Sequence, residues 1–504
     1  MSRLASNTVQ STIAGTSNAL GGMLSMVAVA RLLGPAGAGT VGLAVWIAGT
    51  AITVGDLGLP LTVARFIPDL EARGQAEDAR NFAAAFFKPL AATTLLGAAL
   101  ALALFAFDAP LRAHFASLPF AEQGARLWLE IGALFASQAI GNYAQGALRG
   151  SQRFALFARL AALSFLVQLG AVALGGALGG VEGALLGYCA GNLIFAAYAL
   201  ASVGISGAID AGLRARAWRF SLASWGVGLI AAIVWSRTEI AFLNYWRGAH
   251  EAGLYSVAWT VGQAATQAPL LMTGALLATF AQRHAVGDAI GLQSAYATSL
   301  RLMAFLIFPA SFGAAAIAPA LVPLVFGHAF DAAIDATALL VAAQSFGALT
   351  AVTTALLFAT ERNGTMVRIG AVGAAGVLAA GMFVIPAYGL MGAVVARVAI
   401  QIAATAATFV YVDRALDGRT PYGALARIVA AASGCALAAR GIVNSAPGAL
   451  GMAAAIVLGA AVYVALARLL GALPAEDVES LRLVCARAPR WAAAPLERAV
   501  RVLG

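Results

Sequence analysis

Lysine occurs once in 504 residues, as Lys88 in AFFKPL, and no GxxxxGK[ST] surrounds it. Without that lysine and its glycine-rich loop the chain cannot cradle nucleotide phosphates by the P-loop route. Any transport work must then draw on an ion gradient, the membrane potential or a separate ATPase. Three cysteines, Cys189, Cys435 and Cys485, lie far apart in no paired or metal-ligand spacing, and His114, His250, His284 and His328 form no HExxH. A metal site is not expected. No GxSxG or CxxC occurs, and the longest polar loops, near 67–81 and 205–219, are too short to fold into a catalytic domain. A membrane-embedded polymerase or glycosyltransferase usually carries a large loop or a cluster of acids, and neither is visible, so the chain reads as no enzyme. Charged residues make up only 11%. Their balance is +9, but the basic residues are spread thinly rather than gathered in a patch, which argues against nucleic acid as partner.

What the chain has in abundance is hydrocarbon. It is 61% apolar with a mean hydropathy of +0.87, and apolar runs of 20 or more residues recur from end to end. Each is long enough to cross a bilayer core of roughly 30 Å. The expected fold class is an all-α polytopic membrane protein with about 14 spans: 6–32, 38–64, 82–107, 124–147, 154–176, 182–204, 220–246, 252–280, 302–326, 336–359, 366–386, 390–412, 422–440 and 449–468. With the N-terminus inside, 24 of the 31 lysines and arginines fall at inner ends and 5 (Arg31, Arg112, Arg126, Arg247, Arg440) at outer ends. That asymmetry favours cytoplasmic termini. AVA at 28–30 could pass for a cleavage site, but Asn7, Gln10, Ser11, Thr12, Ser17 and Asn18 make the preceding segment too polar for a signal peptide, so the first helix is expected to stay. Beyond Pro474, acidic residues Glu476, Asp477 and Glu479 open a segment with Val478, Leu481, Val484 and Cys485 at helical spacing and Arg482 and Arg487 off that face. Such a tail could lie along the cytoplasmic leaflet, or be a solvated helix.

GPAGAGTVGLA (34–44) aligns with GAHEAGLYSVA (248–258) at an offset of 214, and GVEGA (180–184) with GLMGA (389–393) at 209. Two matches at nearly one offset predict an internal repeat. Six spans separate its copies, so both enter the membrane in the same direction. The expected organisation is an N-terminal six-helix lobe over 1–210, a C-terminal six-helix lobe over 211–415, two additional spans over 416–470 and a tail over 471–504. The ladder Gly183, Gly187 and Gly191 reads as close packing of one helix on another.

Ionisable groups at the centre of a bilayer cost about 2.5–3.5 kcal/mol each, so those that persist face a cavity or a partner. Here they are Asp56, Glu130, Arg237, Glu239 and Arg397. On a continuous helix over 220–246, Arg237 and Glu239 stand two residues apart and face different ways, so they cannot simply neutralise each other. Arg397 lies one turn before Gln401. Glu130, Gln138 and Asn142 line one helix face, as do Ser11, Gly15, Asn18, Gly22 and Ser25. These stripes read either as interhelical hydrogen-bond networks or as the wall of a hydrated path. Asp56, in GDLGLP, sits where a span can break, as a helix-breaking residue satisfied by backbone donors or as a protonation or cation site.

ARLLGPAGAGTVGLA (30–44), DLGLPLTVARF (56–66), SRTEIAFLNYWRGAHEAGLYSVAWTVGQ (236–263), LVPLVFGHAFDAA (321–333) and IPAYGLMGAVVA (385–396) follow one another in an order that resembles the polysaccharide-biosynthesis (O-antigen type) flippases of the multidrug, oligosaccharidyl-lipid and polysaccharide exporter superfamily. The resemblance implies two six-helix lobes around a central cavity, alternating access, a bacterial inner membrane location, and a polyprenyl-diphosphate-linked glycan as cargo held by cationic residues. Membrane lipids, a glycan polymerase and export machinery are the further partners it implies. Glu239 stands where that family more often has Asp, and Arg397 where a small or hydroxyl residue is usual, so Arg397 is proposed on its own chemistry. A guanidinium in a wet cavity stays ionised and grips a diphosphate through bidentate hydrogen bonds. The candidate substrate-binding residues are Arg237, Arg397, Gln401 and Arg31. Asp56, Glu130, Glu239, Gln138 and Asn142 are the candidate coupling or cavity-polar residues. No resident cofactor is expected, and a coupling Na⁺ or proton is the one small ion these acids could serve. The competing expectations are a multidrug or cation antiporter of the same superfamily, a membrane-embedded glycan polymerase or glycosyltransferase, and a scaffold for sugar export.

Overall fold

A computed structural model describes residues 3–110, 124–204, 207–270, 273–415 and 420–479. Arg112 and the tail residues Leu481, Arg482, Val484, Cys485 and Arg487 lie outside them. No strand occurs among the described residues. In chain order the helices are α1 (Arg3–Gly55), α2 (Leu59–Ala72), α3 (Ala76–Ala106), α4 (Arg126–Gly150), α5 (Phe154–Ser202), α6 (Ala211–Trp235), α7 (Glu239–Arg247), α8 (Ala249–Leu270), α9 (Thr273–Ala285), α10 (Ala289–Phe326), α11 (Ile334–Ala359), α12 (Asn363–Ala379), α13 (Ile385–Ala415), α14 (Tyr422–Ser445) and α15 (Ala449–Leu469). A 3₁₀ turn, His328–Ala333, leads into α11, and one π turn, Ala380–Val384, joins α12 to α13.

Among the described residues nine helical stretches are long and apolar enough to cross a membrane. Three of them, of 46, 49 and 51 residues, are too long for a single crossing at 1.5 Å per residue. Each bends at a glycine whose φ is positive: Gly34 (φ 66), Gly180 (φ 59) and Gly389 (φ 55). A side chain in that conformation would strain the backbone, and glycine adopts it freely. Divided there, and with α4 and α8–α9 added, the helices follow the fourteen spans read from the sequence. Two expected spans differ. The one over 38–64 stops at Gly55, and the turn at 56–58 starts a separate α2; the one over 220–246 is interrupted at 236–238.

The glycine bends also carry the internal repeat. Gly34 (φ 66, ψ −171) has its counterpart in Gly248 (φ 86, ψ 176), and Gly180 (φ 59, ψ −135) in Gly389 (φ 55, ψ −136). The first copy packs directly on the second. A Cβ at Gly39 would overlap the Ala249 carbonyl and press on Gly253 N, and one at Gly253 would overlap the Pro35 carbonyl and press on Gly39 N. Exchange of every residue for its partner at offset 214 leaves this contact unchanged. Backbones approach so closely because neither helix has a side chain to keep them apart.

The chain divides into two compact units, one of 1–256 with 381–390, the other of 257–380 with 391–504. In the first, the ladder Gly183, Gly187 and Gly191 packs against Gly175, Val172 and Gln168, folding α5 back on itself at Gly180. Its apolar core includes Phe82, Phe86, Phe87 and Tyr143 between α2, α3 and α4, and the Tyr143 hydroxyl donates to the Ala83 carbonyl at 2.5 Å. The core of the second is built by Tyr296, Phe308, Leu349 and Ile428 from α10, α11 and α14. There the start of the tail is tied down. Arg301 Nε donates to Asp477 Oδ2 at 2.5 Å and its terminal nitrogen to Oδ1 at 3.1 Å, while Thr298 Oγ1 donates to Oδ1 at 3.2 Å.

Candidate functional site

In the first unit the site is made by a helix that stops inside the apolar stretch. At the end of α6, Ser236 Oγ donates to the Ala232 carbonyl and Thr238 Oγ1 to the Ile233 carbonyl at 2.9 Å. These hydroxyls satisfy acceptors that the last turn of any helix leaves open. Ile240 N then donates to Arg237 O at 3.0 Å, starting α7. Arg237 is therefore not on a continuous helix, as the sequence suggested, but in the break between two helix ends, half-buried, with the phenols of Tyr188 and Tyr255 among its electrostatic partners. With that break, Arg237 and Glu239 do not face apart around one helix. Glu239, 1% exposed, opens α7, where the helix dipole favours an anion, and its Oε2 accepts from the Tyr255 hydroxyl at 3.0 Å.

In the second unit Arg397 on α13 is 4% exposed, and its guanidinium carbon lies 5.4 Å from the Trp259 ring centroid. A cation over an indole face gains most where water is excluded. One turn on, Gln401 is buried against Gly347 of α11, where a Cβ would come within 2.8 Å of Gln401 Nε2, and this nitrogen has no hydrogen-bond partner among the described residues. Another turn on, the Thr405 hydroxyl meets that of Thr350 at 2.8 Å. Arg397, Gln401 and Thr405 thus form a buried polar row, a sign of a site inside an otherwise apolar span. The i+4 spacing that marked the first two in sequence extends to Thr405. Trp259 beside Arg397, and Tyr188 and Tyr255 beside Arg237, carried no such signal, because each is far from its arginine in sequence or off its spacing.

The remaining candidates scatter. Arg31 is exposed, just before the bend at Gly34. Asp56 breaks the span as one reading anticipated, with Oδ1 accepting from Gly58 N at 2.8 Å. Glu130 is buried on α4, its Oε2 without a hydrogen-bond partner among the described residues, while Gln138 and Asn142 on the same face are half-buried. Of the stripe on α1, Asn18 donates to Gln145 Oε1 at 3.4 Å and Ser25 Oγ accepts from Gln168 at 3.0 Å, whereas Ser11 and Gly22 are exposed. No cluster of three or more metal-ligating side chains occurs among the described residues.

Residues 28–335 match the model of a family described as polysaccharide biosynthesis protein. The chain belongs to that family. Its fold is shared with solved membrane transporters. The lipid II flippase MurJ, in an inward closed conformation, is similar with a TM-score of 0.69 and 12% identity over 92% of this chain and 98% of that one. A multidrug resistance MATE family transporter of the MOP superfamily, in an inward-facing conformation, is similar with a TM-score of 0.64 and 17% identity over 79% and 94%. No curated protein matches the sequence. For this member of the polysaccharide biosynthesis family the comparisons establish an all-α polytopic membrane protein of the transporter fold seen in MurJ and the MATE proteins.

Proposed function

We propose that this protein flips a polyprenyl-diphosphate-linked oligosaccharide from the cytoplasmic to the outer leaflet by alternating access. The observation that carries the reading is the row on α13, where the Arg397 cation and the unspent amide donor of Gln401 share a buried face of a membrane-spanning helix. A diphosphate supplies acceptors for both, and a guanidinium bound to it keeps its charge where a lysine would shed it. Arg237 offers a second cation, two residues before Glu239 in sequence and with Tyr188 and Tyr255 among its electrostatic partners. Arg31 would meet headgroups at the outer end. Residues 1–210 and 211–415 form the two repeated lobes in this reading, 416–470 two added spans and 471–504 a cytoplasmic tail, with both termini inside and the protein in the bacterial inner membrane. Cargo favours one conformation by making better contacts in it, and the coupling ion, a proton or Na⁺, acts at Asp56, Glu130 or Glu239. A glycan polymerase and export machinery would work beside it.

The test is a reconstituted vesicle assay with lipid-linked oligosaccharide. Arg237→Ala and Arg397→Ala proteins should insert at normal levels and translocate at under a tenth of the wild-type rate. Wild-type flipping by both would remove the diphosphate role. A multidrug antiporter would instead move organic cations, and a polymerase or glycosyltransferase would change glycan length rather than sidedness.

A further inference from the structure

We infer that the crevice among the end of α1, the 56–58 turn, the start of α2, α4 and α6 is a subsite for one pyranose ring of a glycan. The inference rests on the reading of the cargo as a glycan. It assigns a separate place, within the first compact unit, to the sugar rather than the diphosphate.

The crevice encloses about 270 Å³ and is lined by Thr53, Asp56, Asn142, Arg149, Ser224 and Trp225 together with small and apolar residues. Drug-sized ligands occupy pockets of roughly 300–1,000 Å³, so this one has room for a single ring and not for an oligosaccharide or a polyprenyl chain. Its polar groups are only partly used. Asp56 spends Oδ1 on Gly58 N, and its second oxygen accepts from no described residue. The half-buried amide of Asn142 makes no hydrogen bond to a described residue. Arg149 gives one nitrogen to Gln145 Oε1 at 3.2 Å and stacks 5.1 Å from the Phe157 ring centroid, with further N–H donors in its fork. Trp225 donates its indole N–H to the carbonyls of Thr53 at 2.9 Å and Val54 at 3.1 Å, which fixes the ring at the wall of the crevice.

These groups suit a neutral polyol. One carboxylate and one guanidinium balance each other, so an anion would meet Asp56 and a cation Arg149 at a penalty, whereas a hydroxyl donates to the first and accepts from the second. Vicinal hydroxyls match the paired donor and acceptor of an amide such as Asn142. The C–H face of a pyranose packs on an indole, whose π face is electron-rich. The lining is mostly small and apolar with an aromatic wall, and the half-buried Asp56 and Asn142 leave donors and acceptors over, so the pocket offers a sugar ring both an apolar face and partners for its hydroxyls.

Saturation-transfer NMR on the full-length protein in nanodiscs, with methyl glycosides of hexoses, 6-deoxyhexoses and N-acetylhexosamines, tests the inference, with 1,4-butanediol as the non-sugar control. At least one glycoside should show transfer, and the diol none. Binding should weaken at least tenfold, about 1.4 kcal/mol, in the near-isosteric Asn142→Leu and in Trp225→Leu, both checked for monodispersity, and stay unchanged in Arg397→Ala. Absence of transfer from every glycoside to the wild type would overturn the subsite, as would undiminished binding in well-folded Asn142→Leu. If the wild type flips lipid-linked glycan while no glycoside binds, the subsite alone falls. If glycosides bind as described while Arg237→Ala and Arg397→Ala flip normally, the subsite stands and the diphosphate reading alone falls.

Discussion

The Tyr255 hydroxyl donates to Glu239 Oε2 at 3.0 Å across the α7–α8 junction, with both side chains withdrawn from solvent at 0% and 1% exposure. A buried carboxylate oxygen that loses its donor retains its desolvation cost, about 1–3 kcal/mol. Tyr255→Phe should therefore lower the thermal midpoint of the protein in detergent by several degrees. Glu239→Gln, whose amide oxygen still accepts, should lower it less. A Tyr255→Phe protein that melts with the wild type would show that the bond contributes nothing to stability.

Close backbone approach at the repeat makes a sharper prediction. A Cβ at Gly39 would overlap the Ala249 carbonyl oxygen, backbone that cannot swing aside, whereas one at Gly49, on the same helix, meets nothing within 4 Å. Gly39→Ala should cost about 3 kcal/mol or more, in the upper range for overpacking, and reduce the yield of monodisperse protein. Gly49→Ala should be neutral or stabilising by about 0.5–1 kcal/mol, because alanine gives up less entropy in a helix. Equal melting temperatures for the two variants would contradict the reciprocal packing.

Much of this fold was legible because lipid imposes simple demands. A run of 20 apolar residues must be helical, since no water satisfies its backbone, and the two glycine-rich matches at offsets of 214 and 209 pointed to positions whose bends turn out to be paired. The break at Ser236–Thr238 was not legible: serine and threonine hydroxyls can cap helix carbonyls or simply ride on a helix, and periodicity cannot tell the two apart. Site residues divided the same way. Arg397 and Gln401 stood out as costly groups one turn apart, but Trp259 and Tyr255 look like any aromatic in a span until the chain is folded.

Arg301, half-buried, pairs with the buried Asp477 and so fixes the first residues of the tail to α10. Removal of one partner of such a pair leaves an uncompensated charge, at a cost of about 3–5 kcal/mol. Arg301→Met should release the tail, seen as faster hydrogen exchange over 472–478 with little change in the spans. Asp477→Asn should do so less, because its amide oxygen still accepts from Thr298 and Arg301. Wild-type exchange over 472–478 in Arg301→Met would mean that Ala472 and Val478, both buried, hold the segment without help from the charges.

The stacked geometry of Arg397 separates charge from shape. Arg397→Lys keeps a positive group on α13 but loses both the planar fork and the contact 5.4 Å from the Trp259 ring centroid. A desolvated cation–π contact is worth about 2 kcal/mol, and tenfold corresponds to 1.4 kcal/mol. If the ring holds the guanidinium in the pose that receives a diphosphate, Arg397→Lys and Trp259→Leu should each slow flipping of lipid-linked oligosaccharide by about tenfold. The double variant should then be scarcely slower than either single one, since both disrupt the same arrangement. Initial rates in vesicles of matched protein content measure all three. Multiplicative losses, about a hundredfold in the double variant, would mean that Trp259 and Arg397 act on separate steps and that the stack does not position the cation.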